Sequence, residues 1–348
     1  MYGKSALDII NEAVVMGASD LHLVASYPPI CRVNGMLVEV PGAVPLSRQD
    51  ARDFGEELLP NAAIKKIIEK YGQADFARSF QGLGRVRVNL YRQSGSWAAA
   101  VRIIPEEVPR LEALGLPVII TELAMHDQGL ILITGATGSG KSTTLAAMLD
   151  FINKSQSRII ITLEDPIEFI HRPGLGIINQ REVGRDIASF TLGLRAALRQ
   201  DPDVIMVGEM RDLETISTAV TAAETGHLVL ASLHSGNTIQ TLERTINVFP
   251  PHQQSQIRTQ LATTLLGIIS QQLIPTINGN DRVAAAEVLI LNSAIRNLIR
   301  ENKMHQIYSA IQTGASTGMI SMGRAVKMLY LQNLISYESF NKYAVDWF

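Results

Sequence analysis

The sequence predicts a two-domain protein in which a small α+β domain precedes a larger α/β domain built on a parallel sheet. A chain of 348 residues is longer than one ordinary hydrophobic core requires, which favours two domains of unequal size. The N-terminal part mixes short strands and helices, whereas from Gly129 onward short apolar strands alternate with helical patterns. That alternation is typical of a parallel sheet covered by helices.

A proline-rich stretch separates the two predicted domains. Pro105, Pro109 and Pro117 give it the rigid, polar character of a linker between domains. The predicted division is an N-terminal domain, a linker and a C-terminal domain, at residues 1–105, 106–117 and 118–348.

The N-terminal domain is predicted to open with an amphipathic helix, because Leu7, Ile10 and Val14 recur at helical spacing. Two further helices are expected, one beginning after Ser47, whose spacing to Asp50 is that of a helix cap, and one over Asn61–Tyr71. Short apolar runs predict a small sheet, and Asn34-Gly35 is a strong tight-turn signal. The strands before this turn are expected at Asp20–Val24 and Ile30–Val33, and the strand after it at Met36–Val40.

A longer hairpin follows in the same domain. Val86, Val88 and Leu90 alternate with polar residues over Arg85–Arg92, a Ser94-Gly95 turn follows, and a return strand runs through Ile104. One face of this hairpin is therefore apolar, and the other carries arginines.

Composition excludes several classes of protein. Hydrophobic residues make up 46%, charged residues 18%, and the net charge is −2, which argues against disorder and against an electrostatic grip on nucleic acid. The N-terminus lacks the pattern of a signal peptide, and the apolar stretches are strand-length, so we expect a soluble protein with no membrane insertion. Cys31, the only cysteine, is expected to be a buried side chain without a function of its own.

A phosphate-binding loop lies at the start of the second domain. A buried-type strand at Leu130–Thr134 precedes the run Gly135–Ser142, and a helix follows at Thr143–Ile152, which is the context that a P-loop requires. Glycines let backbone N–H groups face phosphate oxygens, Lys141 reaches the terminal phosphates and Ser142 ligates magnesium. The predicted nucleotide-binding residues are Gly135, Ala136, Thr137, Gly138, Ser139, Gly140, Lys141, Ser142 and Thr143.

Two acidic clusters follow two further apolar strands. Glu164-Asp165-Pro166-Ile167-Glu168 comes after the strand Ile159–Leu163, and Gly208-Glu209-Met210-Arg211-Asp212 comes after Val204–Val207. The carboxyl ends of parallel strands meet at one edge of the sheet, so these carboxylates are expected beside the phosphates. There they can orient an attacking water or hold hydrated magnesium.

These strings resemble those of the secretion ATPases of type II secretion and type IV pili, and specifically the PilT-type retraction ATPases. Thr162–Glu168 is similar to the family's Asp box, and Val207–Asp212 to its unusual Walker B, which has glycine where most P-loop enzymes have aspartate. Thr225–Val229 with Leu233-His234 resembles the family's His box, and Asn179–Asp186 also matches. The resemblance covers nearly the whole chain.

The resemblance implies a role for each of these groups. Glu168 is expected to be the general base or water-orienting carboxylate, and Glu209 to act with Ser142 around the magnesium ion. His234 is expected near the terminal phosphate as a sensor, supported by His227, although a purely structural histidine is the alternative. Three hairpin arginines are expected to reach the nucleotide of a neighbouring subunit, the alternative being a solvated strand face: Arg85, Arg87 and Arg102.

Two features favour a retraction motor over an assembly motor. Assembly and secretion motors of the family usually have a longer N-terminal region and commonly a four-cysteine zinc insertion, and this sequence shows neither. Ala294–Glu301 is similar to the motif of the retraction ATPases. Physically, Ser293 is expected to cap a helix that turns Ala294, Ile295, Leu298 and Ile299 inward. Arg296 and Arg300 then lie on the outside, facing acidic groups on another segment or subunit.

By resemblance, the expected protein is a RecA-like P-loop ATPase domain preceded by a PAS-like domain, assembled as a homo-hexamer that uses ATP and Mg2+. It is expected in the cytoplasm, at the inner-membrane base of the pilus. The expected partner is the membrane platform protein, with a paralogous pilus motor as a further candidate. A pilus assembly or type II secretion ATPase is the nearest alternative. A non-hydrolysing accessory nucleotide-binding subunit and, more weakly, a small-molecule kinase also remain open.

Overall fold

The computed structural model describes residues 3–33, 35–80, 83–104, 107–279 and 281–344. The chain divides into two compact units, Met1–Glu107 and Val108–Phe348, and each is described by itself. In the part of the chain that is described, no helix is both long enough and apolar enough to cross a membrane. Two residues of the predicted features lie outside the described residues, Asn34 of the predicted turn and Pro105 of the predicted linker stretch.

The described residues of the first unit form three helices and six strands. The helices are α1 Ala6–Val15, α2 Arg48–Leu58 and α3 Ala62–Tyr71. The strands are β1 Asp20–Val24, β2 Ile30–Val33, β3 Met36–Glu39, β4 Gln73–Phe80, β5 Gly84–Gln93 and β6 Ser96–Ile104.

Side-chain caps explain where these helices begin. The hydroxyl of Ser47 accepts from the N–H of Asp50, whose carboxylate in turn accepts from the N–H of Ser47, which confirms the predicted cap of α2. Asn61 caps α3 in the same way by accepting from two N–H groups of the first turn. Local sequence therefore sets both boundaries.

The six strands form one antiparallel sheet in the order β3-β2-β1-β6-β5-β4. Val86, Val88 and Leu90 of β5 are fully buried in the core that the sheet shares with its helices, which confirms the predicted apolar face of the hairpin. Cys31 is buried in the same core. Strand β4, which the sequence analysis did not predict, pairs with β5 and forms one edge.

The second unit contains ten helices and seven strands in its described residues. The helices are α4 Ile119–Ala124, α5 Lys141–Ser155, α6 Phe190–Ala197, α7 Leu213–Glu224, α8 Thr238–Asn247, α9 Pro251–Thr264, α10 Ser293–Arg300, α11 Ile307–Thr313, α12 Met322–Leu331 and α13 Tyr337–Tyr343. The strands are β7 Gly129–Thr134, β8 Ile159–Glu164, β9 Ile177–Glu182, β10 Val204–Val207, β11 Leu228–Leu233, β12 Leu265–Pro275 and β13 Arg282–Ile290. Short 3-10 turns occur at Leu111–Leu114, Met304–Gln306 and Ala315–Thr317.

The sheet of the second unit runs in the order β13-β12-β7-β11-β10-β8-β9. All neighbouring pairs are parallel except β12 with β13. The four central strands β7, β11, β10 and β8 are apolar and almost wholly buried, because helices cover both faces of the sheet. Within the predicted linker, Leu111 is buried in one of these two cores.

The helix that carries the retraction-type motif differs in three details from its prediction. Asn292, one residue earlier than Ser293, caps α10 by accepting from the N–H of Ile295. Ala294 is exposed, while Ile295 and Ile299 are fully buried. Arg296 meets backbone carbonyls in place of acidic groups, because its guanidinium donates to the carbonyl oxygens of Ala262 and Thr263 in the last turn of α9. Those carbonyls lie at the negative end of the dipole of α9, so the arginine finds a partner without a carboxylate.

Candidate active site

Four parallel strands end at one edge of the second sheet, and each is followed by a predicted functional group. Strand β7 leads into the P-loop, β11 into His234, β10 into Glu209, and β8 into the loop that carries Glu168. Because β7, β11, β10 and β8 are consecutive neighbours, the groups that follow them share one edge.

Gly135 is required where the P-loop leaves β7. Its φ of +144° is rarely adopted by other residues, and a Cβ atom there would lie 2.4 Å from the carbonyl oxygen of Gln271. Gly138 and Gly140 also have positive φ, but a Cβ on Gly138 would meet nothing within 4 Å. The loop therefore approaches β12 most tightly at its first residue.

Lys141 lies inside the loop and is only 8% exposed. Its ammonium donates to the carbonyl oxygens of Gly135 at 2.8 Å and Ala136 at 2.9 Å. Burial lowers the pKa of Lys141, and the charges of Glu209 and Glu168 act in the opposite direction. The amine is thus held at the centre of the loop, close to two carboxylates.

The start of α5 fits an anion such as a phosphate group. The N-cap residue of this helix is Gly140, which has no side chain. The N–H groups of the first turn therefore have no side-chain cap. The Ser139 hydroxyl is buried and has no hydrogen-bond partner among the described residues. Ser142 and the loop residues Ala136, Thr137 and Gly138 are exposed. The buried Ser139 hydroxyl and the uncapped first turn of α5 therefore offer hydrogen-bond donors to an anion.

Glu209 is held by two basic residues. Arg211 forms a two-pronged contact with it, Nε to Oε1 and Nη2 to Oε2, both at 2.6 Å. His234 Nε2 lies 3.3 Å from Glu209 Oε1. Burial raises the pKa of Glu209, but the hydrogen bond from Arg211 and the nearby positive charges outweigh burial, so the pKa lies below its ordinary value. The carboxylate therefore stays ionised.

Ser142 and Glu209 offer oxygen ligands of the kind that Mg2+ prefers. The described residues contain no group of three or more histidine, cysteine or acidic side chains that could hold a metal ion by themselves. Magnesium in nucleotide enzymes is usually bound by one or two protein oxygens together with phosphates and water. The oxygen atoms of these two residue types fit a cation that arrives with a nucleotide.

Glu168 lies in an exposed position on the loop after β8, and its charge acts on Lys141. Behind it lies the buried carboxyl of Glu164, which accepts from the Thr162 hydroxyl at 2.7 Å and from the Gln180 amide at 3.1 Å. Burial raises the pKa of Glu164, and its hydrogen bonds oppose that effect. This segment therefore carries one exposed carboxylate, that of Glu168, and one buried and hydrogen-bonded carboxyl, that of Glu164.

The two histidines have different surroundings. His234 Nδ1 lies 3.4 Å from Lys141 Nζ, so this imidazole stands between the lysine and Glu209. The carbonyl oxygen of His234 accepts from Arg244, a residue of α8. His227 Nδ1 is 2.9 Å from the carbonyl oxygen of Ala222, at the end of the preceding helix. Among these contacts, only His234 is brought to the P-loop lysine.

The three predicted hairpin arginines lie in the first unit. Arg85 is 8% exposed, which differs from the solvated strand face considered as the alternative. Arg87 and Arg102 lie opposite each other in the pairing of β5 with β6. Each is more exposed and pairs with an aspartate: Arg87 Nε lies 3.6 Å from Asp75 Oδ1, and Arg102 Nε lies 3.0 Å from Asp20 Oδ1.

Sequence reasoning missed Arg211, Arg244 and Gln180. Arg211 lies two residues after Glu209 inside the quoted Walker B string, and this spacing was the available signal for it. Gln180 lies inside the matched string Asn179–Asp186, but the resemblance assigned it no role, and Arg244 lies outside every matched string.

Residues 99–332 match the family model described as type II/IV secretion system protein, which is more than half of the chain. The chain belongs to this family. Among the members of the secretion-system family, the type IV pilus retraction ATPase PilT of Pseudomonas aeruginosa is 46% identical over 332 residues, covering 95% of this chain and 96% of its own. A twitching motility protein of Neisseria gonorrhoeae is 42% identical over 337 residues, covering 96% of this chain and 89% of its own.

A solved structure of the pilus retraction motor PilT with bound ADP is 47% identical and superposes with a TM-score of 0.91. The match covers 99% of this chain and 98% of that one. Within the type II/IV secretion system family, this chain is therefore a PilT-type secretion ATPase. The predicted α/β, RecA-like ATPase fold is confirmed by the same match.

Proposed function

We propose that this secretion ATPase is a homo-hexameric motor that hydrolyses ATP with Mg2+ to power the retraction of type IV pili. The observation that carries the proposal is the cluster of Lys141, His234 and Glu209, in which His234 stands 3.4 Å from Lys141 Nζ and 3.3 Å from Glu209 Oε1. The names of two relatives, a type IV pilus retraction ATPase and a twitching motility protein, suggest the mechanical task.

In this proposal the P-loop binds the phosphates of ATP. The backbone N–H groups of Gly135–Thr143 face the phosphate oxygens, and the Lys141 ammonium exchanges its two loop carbonyls for the terminal phosphates. Ser142 and Glu209 would hold the magnesium ion. When bound, that ion would neutralise charge on the transferred phosphoryl group. Burial of the lysine strengthens its attraction to that charge.

The remaining groups act on the attacking water and report the state of the nucleotide. Glu168 accepts a proton from water or orients it, which its exposed position permits. His234 contacts both the lysine and the Walker B glutamate, so a change at the terminal phosphate is passed to β11 and α8. Arg211 keeps the Glu209 carboxylate ionised, which is the form that would hold a magnesium ion.

Arg85, Arg87 and Arg102 are proposed to reach the nucleotide of a neighbouring subunit. A guanidinium supplied in trans stabilises charge on the transferred phosphoryl group and couples hydrolysis to the position of one subunit against the next. Opening and closing of successive clefts would then move the subunits and do work on the pilus base. The proposed partner is the inner-membrane platform protein, with a paralogous pilus motor as a further one, at the cytoplasmic face of that membrane.

The direction of the motor is proposed from the motif on α10 and from the names of the relatives. Arg296 is used within the unit, where it binds the carbonyls at the end of α9, so it ties α10 to α9. Arg300, one turn later, remains exposed and available to a partner. Assembly or secretion motors of the same family remain the alternative that a cellular test must exclude.

The first experiment measures magnesium-dependent phosphate release by the purified protein, together with its size in the presence and absence of ATP. Lys141→Ala and Glu209→Ala are expected to abolish release. Their matched controls are Lys154→Ala, at the other end of α5, and Glu214→Ala, an exposed carboxylate on α7. Binding of ATP without turnover by the unmodified hexamer would favour the accessory-subunit alternative, and transfer of phosphate to a metabolite would favour a kinase.

The second experiment separates retraction from assembly. The gene is expressed in cells that lack either their retraction motor or their assembly motor. Restored twitching in the first strain, with no surface pili restored in the second, supports the proposal, and the reverse pattern contradicts it.

A further inference from the structure

The loop that carries Glu168 is held from behind by one side chain of the neighbouring edge strand. Gln180 of β9 donates from Nε2 to the carbonyl oxygen of Phe169 at 2.7 Å and to Glu164 Oε1 at 3.1 Å. Its Oε1 accepts from the N–H of His171 at 3.0 Å. One amide therefore binds the strand end before the loop and two backbone groups after Glu168.

A second residue of β9 holds the other side of the loop. Glu182 Oε2 accepts from the N–H of Ile167, the residue immediately before Glu168, at 3.2 Å. Gln180 and Glu182 are two residues apart on one strand, so their side chains leave the same face of the sheet. In the parallel pairing of β8 with β9 they lie opposite Thr162 and Glu164. The loop is thus attached to β9 immediately before and immediately after Glu168.

The Glu168 side chain itself is exposed, and its backbone N–H donates to the buried carboxyl of Glu164. Its position is therefore set through the backbone of its loop. An exposed carboxylate on a loop without such attachments would sample many orientations, whereas a reacting carboxylate needs a narrow range of them.

We propose that Gln180 is a positioning residue for hydrolysis, which fixes the Glu168 loop so that the Glu168 carboxylate is presented to the attacking water. The inference rests on the proposed function, because it takes Glu168 as the carboxylate that acts on water. A glutamine suits the task since its amide donates twice and accepts once at the same time. A glutamate of the same shape cannot donate when ionised, and it would place a second carboxylate against Glu164.

The test compares Gln180→Glu and Gln180→Met with Asn179→Asp in the purified, full-length protein. Asn179 is the adjacent residue of β9, is exposed, and its side chain leaves the opposite face, so Asn179→Asp introduces the same charge change without touching the loop. Both Gln180 variants are expected to lower kcat about tenfold to a hundredfold. The KM for ATP and the affinity for a fluorescent ADP analogue should stay within about twofold, because the P-loop is unchanged.

Amide hydrogen exchange provides a readout that does not depend on turnover. The N–H of Ile167 is expected to exchange faster in both Gln180 variants because the loop loosens, and that of His171 faster in Gln180→Met, which removes its acceptor. Both are expected to keep the original rate in Asn179→Asp. Faster exchange with unchanged kcat would overturn the proposal, because a loosened loop would then still deliver its carboxylate. A raised KM with unchanged kcat would also overturn it, because Gln180 would then serve nucleotide binding.

A parallel Glu168→Gln variant separates this inference from the proposed function on which it rests. If Glu168→Gln hydrolyses ATP at the original rate, the assignment of Glu168 fails, and the positioning role fails with it. If Glu168→Gln is inactive while both Gln180 variants are fully active, only the positioning role fails. Low kcat in Glu168→Gln and in both Gln180 variants supports both.

Discussion

The two units of this secretion ATPase use their charged residues in different ways. At the strand ends of the second unit, His234 lies 3.4 Å from Lys141 Nζ and 3.3 Å from Glu209 Oε1, so one predicted functional group stands between two others. On the hairpin of the first unit, Arg87 and Arg102 instead pair with aspartates of their own sheet.

This difference shows which groups of the proposed active site one chain can bring together by itself. The second unit brings the lysine, the histidine and the glutamate together within its own fold, so it needs no other surface to assemble them. The arginines of the first unit rest on weak, exposed ion pairs, which contribute little to stability and can be exchanged for a better anion. A phosphate group of a neighbouring subunit is such an anion in the proposed ring.

The largest expected effect comes from the arginines, although they lie outside the P-loop unit. Arg87→Ala and Arg102→Ala are each expected to lower kcat by about a thousandfold, as for other arginines supplied in trans, while the affinity for ADP changes little. Arg92→Ala removes an exposed arginine at the end of the same strand and is the matched control. The measurements are phosphate release and nucleotide binding on the same preparations.

Mixing variants tests whether the arginines act between subunits. Lys141→Ala subunits cannot bind phosphate correctly but carry intact arginines, whereas Arg87→Ala subunits have the converse defect. Mixed rings are expected to regain part of the activity, because some interfaces then combine an intact lysine with an intact arginine. If mixing restores nothing while each variant still forms rings, the arginines do not act in trans and the comparison between the units fails.

A smaller effect is expected from Gly135→Ala, which tests the close approach of the P-loop to β12. The added Cβ would lie 2.4 Å from the Gln271 carbonyl oxygen at a φ of +144°, so the loop must move. Backbone strain alone costs about 1–3 kcal/mol, and we expect the affinity for ADP to fall about tenfold or more. Equilibrium titration with a fluorescent ADP analogue measures this.

Gly138→Ala is the control for that change. It also places alanine at a positive φ, here +78°, but its Cβ would meet nothing within 4 Å, so it adds a backbone cost without the clash. A loss as large for Gly138→Ala as for Gly135→Ala would mean that the approach of the loop to β12 is unimportant.

Much of this site could be predicted from the sequence, because its parts are local. Lys141 and Ser142 belong to a contiguous loop, and Glu209 and His234 each follow a short apolar strand directly. Parallel strands share one edge for their carboxyl ends, so strand-end residues were expected to meet. Helix caps were equally local, and the cap at Ser47 was confirmed while that of α10 was wrong by one residue.

The remainder depends on which side chains meet across the fold. Gln180 lies on the edge strand β9, in a matched string to which the resemblance gave no role. Its hydrogen-bond partners are spread over Glu164–His171. Arg296 was expected to face acidic groups. In the structure it donates to carbonyl oxygens at the end of α9, whose partial charge is negative, as a carboxylate's charge is. Such partners become visible only when the packing of the elements is known.

The smallest expected effect concerns pH and would distinguish the stabilities of the two units. Burial lowers the pKa of His171 in the second unit, with Lys154 acting in the same direction and Asp150 opposing it. The unfolded chain therefore binds a proton near pH 6.5 while the folded unit does not. The contribution of the neutral imidazole to stability is fully present above that pH and is lost as the pH falls towards the lower, folded pKa.

Urea unfolding of the second unit between pH 5 and pH 8 is expected to show less loss of stability on acidification in His171→Gln than in the original protein. His126→Gln, which removes an exposed imidazole of the same unit, is the matched control. Cys31 is buried in the first unit and is the only thiol, so its rate of chemical labelling reports the opening of that unit separately. If the pH dependence of Cys31 labelling changes in His171→Gln as that of urea unfolding does, the two units unfold together. The difference between the units then concerns their charged groups and not their stability.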